Sequence, residues 1–315
     1  MLPEPGIEVV SQVSREVAPT AHALAATPIW RSYVELTKPR IVALIVFTSI
    51  VGMLLAQPGL PRWDALLWGT LGITLSSACA AVLNHVLDRQ IDEKMARTRL
   101  RPLPEGRVTE RQALAFACVL GVSGSLVLFD RVNALTAVLT LAALIGYGYV
   151  YTAWLKWATP QNIVIGGTAG AAPPVLGWTA VTDHLEVNAL ILFLIVFLWT
   201  PPHFWSLAIA RRREYARTGV PMLPVTHGVS YTQSQVILYT VLLSFVTLLP
   251  ALVGTTGVIY LAGALALNGR FLYLVVKLKR SPSPNLPMRV FRYSITYLVL
   301  LFAVLLLDHY WNLPL

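Results

Sequence analysis

The sequence predicts an all-α fold: a polytopic membrane protein with about nine transmembrane helices in one bundle. Of its 315 residues, 56% are hydrophobic and only 12% charged, about half the charged fraction of an ordinary soluble domain. Mean hydropathy is +0.65. Apolar runs long enough to cross a hydrocarbon core of about 30 Å recur from residue 41 to residue 311. The formal net charge of +9 would suit a nucleic-acid partner if the Lys and Arg residues shared one surface. They fall instead between the apolar runs, so nucleic acid is excluded as a partner and the lipid bilayer is the expected solvent.

In chain order, residues 1–30 hold Glu4, Glu8 and Glu16 and no basic stretch leading into an apolar one. That composition suits neither a cleavable signal peptide nor an acid-poor transit peptide, and reads as the flexible cytosolic tail of a bacterial inner-membrane protein. Residues 31–315 read as a single transmembrane domain. Spans are expected at 41–57, 63–86, 112–129, 132–151, 162–182, 187–210, 235–254, 257–278 and 290–311. Gly166-Gly167 and Pro173-Pro174 interrupt the fifth, and Pro201-Pro202 the sixth. Such breaks either line a site or allow close helix packing.

The strong cations set the orientation. Arg31, Lys38 and Arg40 precede the first span, Arg89, Lys94, Arg97, Arg99, Arg101, Arg107 and Arg111 separate the second from the third, and Arg211, Arg212, Arg213 and Arg217 follow the sixth. The opposite loops carry only Arg62 and Arg131, beside Asp64, Asp130, Asp183 and Glu186. The positive-inside rule therefore places the N-terminus in the cytoplasm and, for an odd count, the C-terminus in the periplasm. Cys79 and Cys118 lie inside apolar runs with no metal spacing and read as two buried thiols. Trp30, Trp63, Trp157 and Trp311 stand near span ends, as interfacial belts require.

The chemistry concentrates at the end of the second span. Asn84, Asp88 and Asp92 are spaced i, i+4, i+8, so a continuing helix puts an amide and two carboxylates on one face, one turn apart. Such oxygen ligands suit a Mg²⁺ ion whose remaining positions are filled by water and phosphate. Arg97, Arg99 and Arg101 follow at once, as charge on a leaving phosphate requires. The same pattern also fits a helix end with surface ion pairs of little energetic weight. A second polar cluster, Arg211-Arg212-Arg213-Glu214-Tyr215, ends the sixth span on the same side. His203, inside that span, is expensive without a partner and is either a heme-binding residue or an interhelical hydrogen-bond donor. His227 and His309 read as solvated side chains.

The Asn-x-x-x-Asp-x-x-x-Asp spacing at 84–92 resembles the first acidic motif of the UbiA superfamily of intramembrane prenyltransferases. Thr37-Lys38-Pro39-Arg40, Tyr151-Thr152 with Leu155-Lys156, Asn162 to Gly167, Pro173-Pro174, Trp199-Thr200-Pro201-Pro202-His203-Phe204-Trp205 and Gly219 to Val225 narrow the resemblance to the branch that farnesylates heme. It runs from about residue 32 to beyond 225.

The resemblance implies a UbiA-type bundle that moves a farnesyl group from farnesyl diphosphate to a vinyl group of heme B, with heme B as substrate and Mg²⁺ as cofactor. Asn84, Asp88, Asp92 and Lys156 would be catalytic, with Asp88 and Asp92 on the metal and Arg97, Arg101, Arg211 and Glu214 as further diphosphate partners. Lys156 also suits a snorkelling cation at a helix end. Where many UbiA-type enzymes carry a second Asp-rich motif, this chain has Arg211 and Glu214, which leaves a second Mg²⁺ site open. Tyr147, Tyr151, Trp199, Phe204 and Trp205 would lie near the cavity. Heme A synthase or terminal oxidase assembly factors would be partners. Three alternatives stand beside it: another UbiA-type aromatic prenyltransferase; a secondary transporter, against which stand the missing inverted repeat and the acids at one membrane face; and a structural assembly or heme-chaperone role, which would bind heme without regard to farnesyl diphosphate or Mg²⁺.

Overall fold

The computed structural model of the chain describes residues 28–281 and 283–311, and among these every regular element is a helix. The expected tail over 1–30 lies, as far as residue 27, outside the described residues. The elements are α1 (Ile29–Leu36), α2 (Pro39–Leu55), α3 (Trp63–Leu87), α4 (Arg89–Lys94), α5 (Glu110–Arg131) and α6 (Ala134–Ile145). A π-helix (Gly146–Leu155) continues α6 into α7 (Lys156–Ala158). Then come α8 (Asn162–Ala171), α9 (Pro173–Thr182), α10 (Val187–Ala210), α11 (Arg212–Thr218), α12 (Leu223–Thr226), α13 (Gly228–Val246), α14 (Leu249–Leu252), α15 (Val258–Arg280) and α16 (Leu286–Trp311).

Seven helices are long and apolar enough to cross a membrane, or eight when α1 and α2, bent by 48°, count as one span. The expected count of about nine is not reached on that measure. The difference lies at 162–182, where Pro173 cannot donate to the preceding turn and the run is built as two ten-residue helices. By contrast α10 runs unbroken through Pro201 and Pro202, so the interruption expected there is absent. Glycine serves helix contact instead. A side chain at Gly52 would strike the carbonyl of Pro174, one at Gly177 that of Ser49, and one at Gly166 the ring of Tyr151.

Helix α10 is the hub, packed against α8, α9, α13 and α16. The outer surface is apolar: Val119, Val122, Leu126 and Phe129 of α5 and Phe245 of α13 are exposed, as in a bundle solvated by lipid. Cys118 is exposed on that surface, which corrects the expectation of a second buried thiol; Cys79 is buried. Trp30, Trp63, Trp157 and Trp311 are all exposed at helix ends. Several intramembrane polar groups are paired, as hydrocarbon favours, although the indole N–H groups of Trp178 and Trp205 are buried without a partner among the described residues. Asp308 accepts from the backbone N–H groups of Gly257 (2.5 Å) and Tyr260 (3.0 Å) and so caps α15. His309 is half-buried with Nε2 3.2 Å from the carbonyl of Gln57, rather than solvated. That contact puts the end of α16 beside the end of α2, at the opposite end of the bundle from Lys38.

Because α9 lies directly on α2, Gly177→Val is expected to destabilise the bundle by about 1–3 kcal/mol, the usual penalty of overpacking. Thermal unfolding in detergent should show a lowered Tm, whereas valine at the open Gly170 should leave it unchanged.

Candidate active site

The site begins with an unusual turn at the start of α2. Lys38 has φ 52° and ψ 59°, the left-handed region that a lysine enters at a cost of about 1–3 kcal/mol unless its surroundings impose it. Pro39 disfavours the right-handed alternative for the residue before it. The result is a buried ammonium that donates to Asn84 Oδ1. Lys38 belongs to no acidic or Arg-rich motif, and the spacing that marked 84–92 carries no sign of it.

Asn84, Asp88 and Asp92 do share one face. Helix α3 ends at Leu87, but Asp88 N–H donates to the Asn84 carbonyl and Asp92 N–H to that of Asp88, both at 2.9 Å, so the register passes through the joint into α4. All three side chains are buried, at 5%, 7% and 4% exposure. Unpaired carboxylates would not stay ionised there. Lys156 Nζ lies 2.8 Å from Asp88 Oδ1 and Arg101 Nη1 2.7 Å from Asp92 Oδ2. Asn84 Nδ2 donates to Asp88 Oδ2 (3.0 Å) and to Thr152 Oγ1 (3.1 Å), while Thr152 donates to the Tyr147 carbonyl (2.8 Å).

The π-helix delivers two of these partners. Its wider turn puts Thr152 opposite Asn84 and, four residues on, Lys156 opposite Asp88. It also stacks Tyr147 on Tyr151, centroids 5.7 Å apart. Wide turns of this kind recur at functional sites, and apolar periodicity does not reveal them.

The loop beyond α4 is pinned to α1, where Arg107 reaches Ser32 (3.0 Å) and Glu35 (3.1 Å). This fixes the segment that carries Arg97 and Arg101. Helix α11 touches α4, so the two polar loops do face one another. Arg211 and Glu214, however, pair with each other at 2.8 Å rather than with the acids. Arg97 is exposed. Burial pushes the Tyr215 hydroxyl above its ordinary pKa, against the pull of Arg97, and keeps it a donor. His203 makes no hydrogen bond to this cluster. It lies on α10 eight residues before Arg211, about 12 Å along the axis.

Lys156 and Arg101 offset Asp88 and Asp92, and Lys38, whose pKa burial lowers to about 7, tips the mouth positive when it is protonated. Such a mouth attracts an anion. Asp92 Oδ1 has no hydrogen-bond partner among the described residues, and no three His, Cys, Asp or Glu side chains converge there as metal ligands. A hard cation would thus rest on two carboxylates and complete its shell with water and phosphate, a set that fits Mg²⁺ on a diphosphate.

A helical bundle with two buried carboxylates and three cations at its mouth is the setting of an intramembrane prenyltransferase. Residues 45–307 match the model of the UbiA prenyltransferase family, and the chain belongs to that family. It is 59% identical over 281 residues to the protoheme IX farnesyltransferase of Nitrosococcus oceani, across 89% of this chain and 94% of that one. It is 58% identical over 290 residues to the protein of the same name from Marinobacter nauticus, across 92% and 96%. Among solved structures, a digeranylgeranylglyceryl phosphate synthase superposes with TM-score 0.76 at 19% identity, over 90% of this chain and 99% of that one. A UbiA homologue from Archaeoglobus fulgidus bound to DMAPP and Mg²⁺ gives 0.58 at 16% identity, over 87% and 99%.

Lys38→Gly relieves the left-handed strain while deleting the ammonium. It is expected to leave Tm unchanged or higher and to cut prenyl transfer about 100-fold, the effect of losing a preorganised charge near the leaving group.

Proposed function

We propose that this chain transfers the farnesyl group of farnesyl diphosphate to a vinyl group of heme B, giving the hydroxyethylfarnesyl side chain of heme O. The observation that carries the proposal is the buried Asn84–Asp88–Asp92 face held by Lys38, Lys156 and Arg101, on a chain 54–59% identical to relatives named for this reaction. That identity favours heme over another aromatic acceptor, and the acids at one end of the bundle speak against transport.

Farnesyl diphosphate lies with its chain among the apolar helices and its diphosphate at the mouth. Lys156 and Arg101 release part of their hold on the carboxylates, Lys38 part of its hold on Asn84, and all three bind diphosphate oxygens, with Arg97 and Arg211 at the rim. Asp88 and Asp92 would hold Mg²⁺, which would supply positive charge opposite the departing diphosphate. The C–O bond breaks with the electron pair leaving on the diphosphate. The faces of Tyr147 and Tyr151 stabilise the allylic cation, and the heme vinyl group attacks its terminal carbon. Water adds to the cation left beside the porphyrin and loses a proton. Positioning and electrostatics provide the rate. Glu214 restrains Arg211 and takes no second metal.

The mouth faces the cytoplasm and the end of α16 the periplasm of a bacterial inner membrane, behind a cytosolic tail and with 31–315 as one domain. The product suits a heme A synthase or an oxidase assembly factor.

Purified protein with heme B, farnesyl diphosphate and Mg²⁺ should yield heme O by mass spectrometry of the extracted heme. Asp88→Ala and Asp92→Ala should abolish it while the protein stays folded and inserted; near-normal product from either would overturn the metal assignment.

A further inference from the structure

We infer that His203 Nε2 binds the iron of the porphyrin substrate and that Ser294 is the positioning residue that keeps this nitrogen free; the inference rests on the proposed heme substrate. His203 is 8% exposed, on α10 where it meets α16. Its Nδ1 lies 2.7 Å from Ser294 Oγ, and Ser294 Oγ lies 2.7 Å from the carbonyl of Phe291. A carbonyl only accepts, so the single hydroxyl proton of Ser294 is committed to Phe291. The contact with His203 therefore runs the other way, Nδ1–H donating to Oγ. In the neutral ring this leaves the lone pair on Nε2, which has no hydrogen-bond partner among the described residues.

The ring is also held against rotation. Trp199 stacks on one side (4.3 Å, 19°) and Phe291 is stacked as well (4.5 Å, 28°), with Phe204 edge-on at 5.3 Å. Trp199 is itself fixed, its Nε1–H donating to the Ser294 carbonyl at 2.7 Å. One residue of α16 thus orients both the imidazole and its stacking partner. A tie between helices accounts for the Nδ1 bond alone. A ligating imidazole accounts for the whole arrangement, because metal-bound His characteristically donates its other N–H to a fixed acceptor, and imidazole is a common ligand of heme iron.

The other described histidines do not offer this. His184 and His227 are exposed, His309 uses Nε2 on Gln57 at the far end of the bundle, and His85 is buried beside Asp92. The place on α10 suits the substrate too. The iron would sit deeper than the charged mouth, among apolar side chains, while the diphosphate remains near water.

The test uses full-length protein in detergent with heme B and, in parallel, metal-free protoporphyrin IX. Wild-type protein should show the absorption spectrum of nitrogen-ligated heme. His203→Ala should lose that signature and bind heme B about tenfold or more weakly, while binding the metal-free porphyrin within about twofold of wild type. Added imidazole should restore the spectrum. Ser294→Ala should keep the ligand but shift the iron–histidine stretching frequency. An unchanged spectrum in His203→Ala, or an equal loss of both porphyrins, would overturn the inference. Heme binding is read here without farnesyl transfer, so ligated heme that is never farnesylated would count against the proposed reaction and leave the ligand assignment standing.

Discussion

Two carboxylates buried at the end of an apolar bundle are the constraint around which the rest of this molecule is arranged. Asp88 and Asp92 would be costly in that position without compensation, since an isolated buried charge loses several kcal/mol of hydration. The cations around them come from three separate segments: Arg101 on Asp92 from the loop beyond α4, Lys156 on Asp88 from the end of the π-helix, and Lys38, bonded to Asn84, from the strained turn before α2. Each of those segments departs from ordinary helix geometry at the point of contact. The left-handed Lys38, the joint at Asp88 and the wide turn through Thr152 are local costs set by the need to bring charges together.

The two ends of the substrates explain why the charges sit where they do. A farnesyl chain and a porphyrin ring are largely apolar, whereas a diphosphate carries about three negative charges and needs cations and water. With Lys38 protonated the mouth is positive, and one divalent ion would raise that charge further, opposite to the diphosphate. The Arg211–Glu214 pair neutralises itself and adds little to that balance, consistent with a single cation site on the α3–α4 face.

Much of this was legible in the sequence. The apolar runs marked the helices because burial in lipid demands uniform hydrophobicity, and the i, i+4, i+8 spacing placed Asn84, Asp88 and Asp92 on one face because the backbone bonds continue through Asp88. Pro173-Pro174 marked a real break, but Pro201-Pro202 did not break α10, where packing on four neighbours holds the helix. Cys118 looked buried because an apolar run does not say which face meets lipid. Lys38 and Thr152 stand inside motifs that carry the resemblance, but no role is legible for them there, because their contacts with Asn84 depend on a left-handed turn and a helix widening that apolar periodicity does not show. The same holds for Ser294, which is an ordinary helical serine until the fold brings it to His203.

The charge balance at the mouth is the central claim, and diphosphate binding in the absence of chemistry tests it most directly. Calorimetric titration of the wild-type protein with an unreactive thiodiphosphate analogue of farnesyl diphosphate, with and without Mg²⁺, separates binding from turnover. The account predicts one Mg²⁺ per chain and an affinity for the analogue about tenfold or more higher in its presence, a difference of about 1.4 kcal/mol or more. Equal affinity without the ion, or two ions per chain, would contradict it.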